Sequence, residues 1–574
     1  MRFFLALVFL AGYLPVLTAR LQDKSAKPDQ NAYARDQATI QRGREVFTRY
    51  CAACHNFETD EIGPNLSGVT AQAPKAWLRA FIRNAPEMLA RGDVRAVRVH
   101  ERFKNVMPPL PLADAELEDV LAYIHTFSAK APTAAEAAAG ALTDPIPDRV
   151  TPSGLTLVLE RVLTMPPSAN EPPVTRINKL LAVMHGERER LFIHDLRGKL
   201  YELRENKPHV YLDAAVALPR FIPQPGLGTG LGSFAFHPDF ETNGLLYTTH
   251  TEPAGAAPAD FALRDATPVR LQWVLVEWKA KDPRGATFSG TRRELLRADM
   301  HTQIHGFQEV AFNPLAKRGD ADYGLLYLAS GDGGAGVTKY WSACCDGGIW
   351  GTVLRIDPAG RNSRNGKYGI PKDNPAAGKR GTPAEVWVRG FRNPHRISWD
   401  LTGSGKMFIT NIGQHAVEEV ELGVAGAHYG WPEREGTFRT DVPANPKSLY
   451  PRPPKDAVLY TYPVVQYDHD EGNAISGGFV YAGGRIAPLK GKYVFGDITR
   501  GRVFFADVSR MELGKQAPIY EFAIEVGGTR TSLEALTRNK RVDLRFGQDS
   551  SGDLYIFTKA DGAVWKVVDC RPAP

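Results

Sequence analysis

The sequence predicts two domains, a small all-α domain followed by an all-β six-bladed β-propeller. Three observations carry that prediction. Residues 33–128 place apolar side chains at helical spacing. Residues 129–148 (AKAPTAAEAAAGALTDPIPD) are rich in Ala and Pro and read as a linker, with room for a short helix at 134–139. Residues 149–574 lack long helical periodicity and repeat short β-branched and aromatic runs, separated by Gly, Pro, Asn and Asp. A chain of 574 residues exceeds one ordinary core, and 43% hydrophobic with 23% charged residues is a globular composition.

At the N-terminus, Met1 and Arg2 precede an apolar run from Phe3 to Leu17. That run is short for a membrane span and reads as a secretory signal peptide, residues 1–19, with a retained anchor as the alternative. The expected location is periplasmic or secreted, with no membrane span after cleavage. The net charge of +6 is small, and no Lys/Arg run points to nucleic acid.

In the small domain, Cys51-Ala52-Ala53-Cys54-His55 has the C-x-x-C-H spacing of a c-type haem site. Two thiols bind the vinyl groups and the histidine ligates iron. Its flanks agree. Ile40, Gly43, Phe47 and Tyr50 share one helical face, and Gly63-Pro64-Asn65-Leu66 follows. Met107, before Pro108 and Pro109, is the expected sixth iron ligand, and a His/Met pair raises the potential of a haem. Asp114 opens a closing amphipathic helix through Leu117, Val120, Leu121, Ile124 and Phe127. Residues 33–128 therefore resemble a small class I cytochrome c with one covalent haem c. The alternatives are a redox or zinc C-x-x-C, and a gap-filling role for Met107.

In the large domain an apolar run, a polar turn and a Gly-x-Leu-Tyr-like strand recur. Copies begin at Leu180, Phe234, Val310, Ile397, Phe479 and Leu544. Most spacings are roughly 60 to 90 residues, enough for a four-stranded unit, and radial repetition of such units is a propeller. A pair of β-sandwiches is the alternative. The glycines of the phrase are expected to open turns at positive φ, and its aromatics to pack between blades.

Segments that break the repeat are where chemistry should sit. These are Gln303 to Phe307, Gly390 to Arg396, and Gly413 to Glu419 followed by His428 to Pro432. They precede or follow inner strands, so His305, Arg392 and Asn393 are expected to converge at the channel mouth. A histidine there is a candidate general base, and Arg and Asn can hold carboxylates or a developing oxyanion.

The ordered phrases FAFHPDFETNGLLY (from Phe234), GTVLRID (from Gly351), IPKDNP (from Ile370), GFRNP (from Gly390) and YGWP (from Tyr429) resemble the soluble glucose/sorbosone dehydrogenase family. Its members are six-bladed propellers using pyrroloquinoline quinone (PQQ) with calcium, and the propeller also occurs in hedgehog-interacting-type proteins. The resemblance implies His305 as catalytic base, and Arg392 and Asn393 as quinone contacts. It implies Gly413 and Gln414 as backbone-carbonyl ligands of calcium, with the acidic pair Glu418 and Glu419 alongside. Arg541 or Arg545 is implied as a late arginine near the quinone carboxylates. Departures are Ile304 in place of an acid before the histidine, Gly228-Thr229-Gly230 in place of a glutamine, Gly306 to Glu309 in place of a Gly-Arg-Leu-like run, and Thr499, beside Arg500, in place of a lysine. Cys344, Cys345 and Cys570 are open to a vicinal disulfide, a bridge to Cys570, or free thiols.

The expected function is a periplasmic quinohaemoprotein dehydrogenase. A sugar or related alcohol would be oxidised, and electrons would pass from PQQ to the fused haem and on to an external redox partner, a cytochrome or oxidase. The alternatives are a non-catalytic binding platform carrying a cytochrome, and a propeller with a second haem.

Overall fold

The computed structural model describes residues 32–573 except 53, 58–62, 104, 111, 129–140, 225–227, 265–266, 339–346, 442–444 and 455. The signal peptide expected at 1–19, the short helix expected at 134–139, and Cys344 and Cys345 lie outside the described residues.

The N-terminal domain is helical, with helices Gln37–Tyr50, Lys75–Ala90, Val94–Phe103 and Asp114–His125 and a single turn at Val69–Gln72. Asp36 caps the first helix by accepting the Thr39 N–H at 2.9 Å. The first and last helices cross so closely that a Cβ on Gly43 would lie 1.9 Å from the Asp119 carbonyl oxygen. Arg42 closes the same crossing with a bidentate pair to Asp119 at 2.8 and 3.0 Å. Val46, Phe47, Leu117, Leu121 and Ile124 form the core beneath it. The sequence had not singled out the two middle helices. The longer one carries Pro86 and leaves helical geometry at Asn84 (φ −156°, ψ 72°).

The large domain is all-β apart from short turns of helix. All six copies of the repeated phrase are adjacent antiparallel strand pairs. They are Ile177–His185 with Arg188–Asp195, Leu231–Phe236 with Leu245–Pro253, and Phe307–Phe312 with Leu326–Ser330. Then come Pro394–Trp399 with Met407–Asn411, Ile475–Val480 with Lys492–Asp497, and Leu544–Gln548 with Leu554–Thr558. Residues 231–300, 307–389 and 394–468 each build a four-stranded sheet. A separate three-stranded sheet, Arg434–Glu435, Phe438–Asp441 and Asn445–Tyr450, lies within the last of these ranges, and the remaining strands join in one 13-stranded sheet. There Thr151–Thr164 runs parallel to Tyr520–Val526 on one side and antiparallel to Ala563–Pro572 on the other. The first strand of the domain is thus held by its last.

Gly244, Gly324, Gly405, Gly491 and Gly552, which precede the second strand of five copies, all have positive φ, between 64° and 82°. The aromatics of the phrase pack between neighbouring sheets: Tyr247 edge-to-face with Phe312 at 5.4 Å, Tyr327 edge-to-face with Trp399 at 5.6 Å, and Phe408 tilted against Tyr493 at 4.6 Å between ring centroids. Cys570 is a free thiol buried in the core of the last sheets.

Of the linker, residues 141–148 lie along the large domain. Leu142 N–H donates to the Leu449 carbonyl at 2.8 Å, and Ile146 N–H to Asp468 Oδ2 at 3.3 Å. The helical domain touches the rim through Arg270. Its Nη2 donates to the Arg49 carbonyl at 2.5 Å, and its guanidinium lies 5.7 Å from the Tyr50 ring centroid.

Candidate active site

The haem motif follows directly from the end of the first helix. The Cys51 N–H caps that helix by donating to the Phe47 carbonyl, and Cys51 is buried in the same apolar cluster against which Met107 packs. His55 Nδ1 lies 2.8 Å from the Pro64 carbonyl. That bond places the proton on Nδ1 and leaves Nε2 as the metal-binding nitrogen, the usual outer-shell arrangement of a ligating histidine. Gly63 cannot carry a side chain, since a Cβ would come within 2.3 Å of the His55 ring. The donor set, two thiols and an oriented imidazole beside a half-buried thioether, fits haem c.

In the large domain His305 begins the third of the paired sheets. It sits just before strand Phe307–Phe312 at φ 60°, a left-handed conformation that costs energy for a non-glycine residue. His305 is 8% exposed. Its Nδ1 lies 2.7 Å from Oδ1 of Asp332, which is itself fully buried. Asp332 also accepts from Gly334 N–H (2.8 Å), Gly336 N–H (3.1 Å) and Trp431 Nε1 (3.3 Å). Burial opposes its charge, but His305, Arg392 and the Gly336 amide outweigh burial and hold it below the ordinary carboxylate value. Burial and the Arg392 charge push His305 below the usual imidazole range, with Asp332 opposing them. The imidazole is therefore neutral near pH 7, protonated on Nδ1, with Nε2 basic.

Arg392 and Asn393 join this group from the segment before strand Pro394–Trp399. The Arg392 carbonyl accepts the Asp332 N–H at 2.7 Å. Gly331 is wedged between the two segments: a Cβ there would lie 2.6 Å from His305 Cβ and 2.9 Å from Asn393 Oδ1. Arg392 Nε donates to Gln414 Oε1, and its Nη1 to the Ile412 carbonyl at 3.2 Å. Asn393 is 5% exposed, and among the described residues its Oδ1 has no hydrogen-bond partner. The segments carrying His305, Arg392 and Asn393 thus adjoin one another around Gly331 and Asp332.

Asp332 was not found by sequence reasoning. The available signal was the run Gly331-Asp332-Gly333-Gly334, an acid among glycines directly after strand Leu326–Ser330. It supplies the carboxylate that Ile304 does not. At the site of the absent glutamine, Gln308 Nε2 donates to the Gly228 carbonyl at 3.1 Å.

The two late arginines differ. Arg541 is half-buried and pairs with Asp543 at 3.1 Å. Arg545 is buried and donates from Nε to Asn178 Oδ1 at 3.0 Å. Thr499 turns to Asp497 Oδ2 (2.7 Å), and Arg500 Nη1 to the Asp470 carbonyl (2.9 Å). A buried Arg545 without an ion pair among the described residues fits a buried, carboxylate-bearing cofactor such as the expected quinone, and the orphaned amide oxygen of Asn393 leaves room for an N–H or O–H donor on it.

The loop of Gly413 and Gln414 is held from below by Glu435. Its Oε1 accepts the N–H groups of Gln414 (2.8 Å), His415, Ala416 and Val417 (3.0 Å each). Glu418 and Glu419 are buried rather than solvated, and both face protein donors. Glu418 lies 2.9 Å from His469 Nε2 and accepts the Ile475 N–H at 2.8 Å. Glu419 accepts from Asn411 Nδ2 (2.8 Å) and the Gly436 N–H. Calcium at this loop would accordingly draw on the backbone carbonyls of Gly413 and Gln414. Among the described residues, the group of three carboxylates whose ligand atoms lie within 4.8 Å of one another is Asp144, Asp468 and Asp470, which includes a linker residue.

The family model described as Glucose / Sorbosone dehydrogenase matches residues 181–566, and the Cytochrome c model matches residues 40–128. The HIPL1 protein of Arabidopsis thaliana is 26% identical over 404 residues, covering 60% of this chain and 53% of that protein. The human Hedgehog-interacting protein is 25% identical, with 59% and 43% covered. Quinoprotein glucose dehydrogenase B of Acinetobacter calcoaceticus is 23% identical, with 46% and 52% covered. The chain spans about half the length of the curated relatives it matches. Among solved structures, the soluble aldose sugar dehydrogenase of Escherichia coli in its apo-form has a TM-score of 0.50 at 17% identity. The match covers 73% of this chain and 99% of that one, a likeness of fold.

Proposed function

Because the chain belongs to the glucose/sorbosone dehydrogenase family and joins that domain to a cytochrome c domain, we propose that it is a periplasmic quinohaemoprotein dehydrogenase oxidising a sugar or related alcohol. In this reading the strand units are six blades, and PQQ and calcium are held at the mouth around His305. Bound PQQ would supply the hydride acceptor.

The observation that carries the reading is the buried His305–Asp332 pair, 2.7 Å apart beside Arg392 and Asn393, in a chain that also holds a C-x-x-C-H motif. His305 Nε2 takes the hydroxyl proton. Asp332 fixes the tautomer and stabilises the imidazolium that results. Arg392 and Asn393 orient the cofactor, Arg392 being braced by Gln414. Gln414 thus acts through its side chain on one partner while its backbone serves calcium. Oxidation of a hydroxyl to a carbonyl releases two electrons and two protons. The electrons leave singly through the haem, which an acceptor outside the chain drains between them. The Arg270–Arg49 contact, two residues before Cys51, supports transfer within the chain.

A second reading is a non-catalytic platform carrying the cytochrome. The departures at Thr499 and at 228–230, and the similarity to Hedgehog-interacting protein, favour it. The test is to supply the purified full chain with PQQ and calcium and to follow haem reduction by a panel of aldoses and polyols. Reduction by at least one supports the dehydrogenase; no reduction and no PQQ retained supports the platform.

A further inference from the structure

Most buried cations of the large domain stand against a carboxylate. Lys179 and Arg396 share Glu309, Arg190 pairs with Glu202 at 2.9 Å, and Arg434 with Asp456 at 2.5 Å. Arg545 and Lys559 do not. They are 6% and 4% exposed, and among the described residues neither has a carboxylate oxygen within 4.0 Å. Both converge instead on one neutral atom: Arg545 Nε and Lys559 Nζ each donate to Asn178 Oδ1 at 3.0 Å. Arg396 Nη2 adds a bond to the Asn178 carbonyl at 2.8 Å. The acid acting on both cations, Asp543, is itself engaged by Arg541 at 3.1 Å.

The donors of this group are not used up. Asn178 is 1% exposed, and among the described residues its Nδ2 has no hydrogen-bond partner. His395, 4% exposed, has none at Nδ1 among the described residues. His395 lies two residues beyond Asn393 and is close enough to Arg545, Arg396, Lys559 and His305 to feel the charge of each, so the group shares the channel of the candidate site. Burial and the Arg545 charge hold Lys559 well below the usual lysine range. Two buried basic side chains converging on one neutral oxygen, with the single carboxylate of Asp543 shared among Arg541, Arg545, Lys559 and Arg176, are unfavourable unless a further anion joins them. The lysine expected in the fifth repeat is Thr499, which faces Asp497 instead.

We infer that Asn178, Arg545 and Lys559 form a carboxylate-binding site, with His395 at its edge, and that Lys559 supplies from the sixth repeat the cation that Thr499 does not. The identity of the natural ligand rests on the quinone reading: a carboxylate of PQQ and a free aromatic tricarboxylate present the same chemistry.

The test is calorimetric titration of the full chain with PQQ and, separately, with benzene-1,3,5-tricarboxylate. Lys559→Met should weaken binding of each by about 10- to 100-fold, the effect of losing one charged hydrogen bond, and Lys559→Arg should restore most of it. Asn178→Asp places a carboxylate inside the group. It should raise the thermal midpoint and abolish the further rise that added tricarboxylate gives the wild type. Wild-type affinity for PQQ in Lys559→Met, or a lower midpoint in Asn178→Asp, overturns the site and leaves the quinone reading standing. Lys559-dependent binding of the tricarboxylate without binding of PQQ keeps the site and overturns the quinone reading. A wild type that binds neither overturns both.

Discussion

Replacing Asp332 by Asn isolates the carboxylate behind the proposed base. Asp332 accepts from His305 at 2.7 Å, from Gly334 at 2.8 Å, from Gly336 at 3.1 Å and from Trp431 at 3.3 Å. An asparagine oxygen can serve one side of that set, and its NH₂ then meets donors on the other. When His305 takes a proton, the anion that stabilises the imidazolium is gone. A buried charge-assisted bond of this kind is worth about 3 kcal/mol. The chemical step should therefore slow on the order of 10²-fold, with KM changed less. The assay is stopped-flow reduction of the haem by a saturating aldose in the PQQ- and calcium-loaded full chain, over a pH series. The acid limb of the wild type should lie below the ordinary histidine value of 6.5, since burial and Arg392 depress His305. Asp332 opposes that depression, so Asp332→Asn should move the limb further down. A variant within about threefold of the wild type, with an unmoved acid limb, would refute the pairing of base and carboxylate.

Three other expectations are independent of that one. Burial, then the Glu419 charge and a carboxyl–carboxylate hydrogen bond to Glu419, hold Glu421 well above the ordinary value, while burial pushes Glu419 up to about 7. A carboxyl with a raised folded-state value stabilises fully below its unfolded value of 4.5 and loses that contribution as pH rises toward the folded one. The wild type should lose roughly 3 kcal/mol from Glu419 across that window, and Glu421→Gln should lose less; parallel denaturation curves at pH 5 and pH 8 (roughly the two ends) would contradict this. Met107→Ala should lower the haem midpoint potential in a redox titration and leave the unfolding of the large domain unchanged; an unchanged potential would remove Met107 from the iron. Arg270→Ala should slow substrate-driven haem reduction while leaving reduction of a small soluble dye unchanged, and equal slowing of both would deny Arg270 a part in positioning the cytochrome.

The strand pairs were legible because each copy of the phrase states its own geometry: a glycine where φ is positive, an aromatic where sheets meet. The haem motif was legible because its chemistry is local. His305, Arg392 and Asn393 were legible through their neighbours, GFRNP above all. Asp332 was not, since its partner stands 27 residues away and its role depends on how two loops pack. The unpaired state of Lys559 was equally hidden, because a lysine after a strand reads as surface until its neighbours are known. Glu418 and Glu419 were expected as an acidic pair beside a calcium loop. Both prove to lie on strand Val417–Leu422 and to be consumed by the fold itself.

The strand Thr151–Thr164 has a consequence for the order in which the chain is made. Its antiparallel partner, Ala563–Pro572, is the last strand of the domain in chain order. At roughly 5–20 residues per second, about 20 to 80 seconds separate the two. For that interval one of the longest strands of the domain waits with an open edge, while the cytochrome segment ahead of it is already complete. The helical segment can thus begin to fold before the large domain closes. Any truncation of the C-terminus would strand an N-terminal segment rather than a C-terminal one, so a small deletion at one end should be felt as aggregation nucleated at the other.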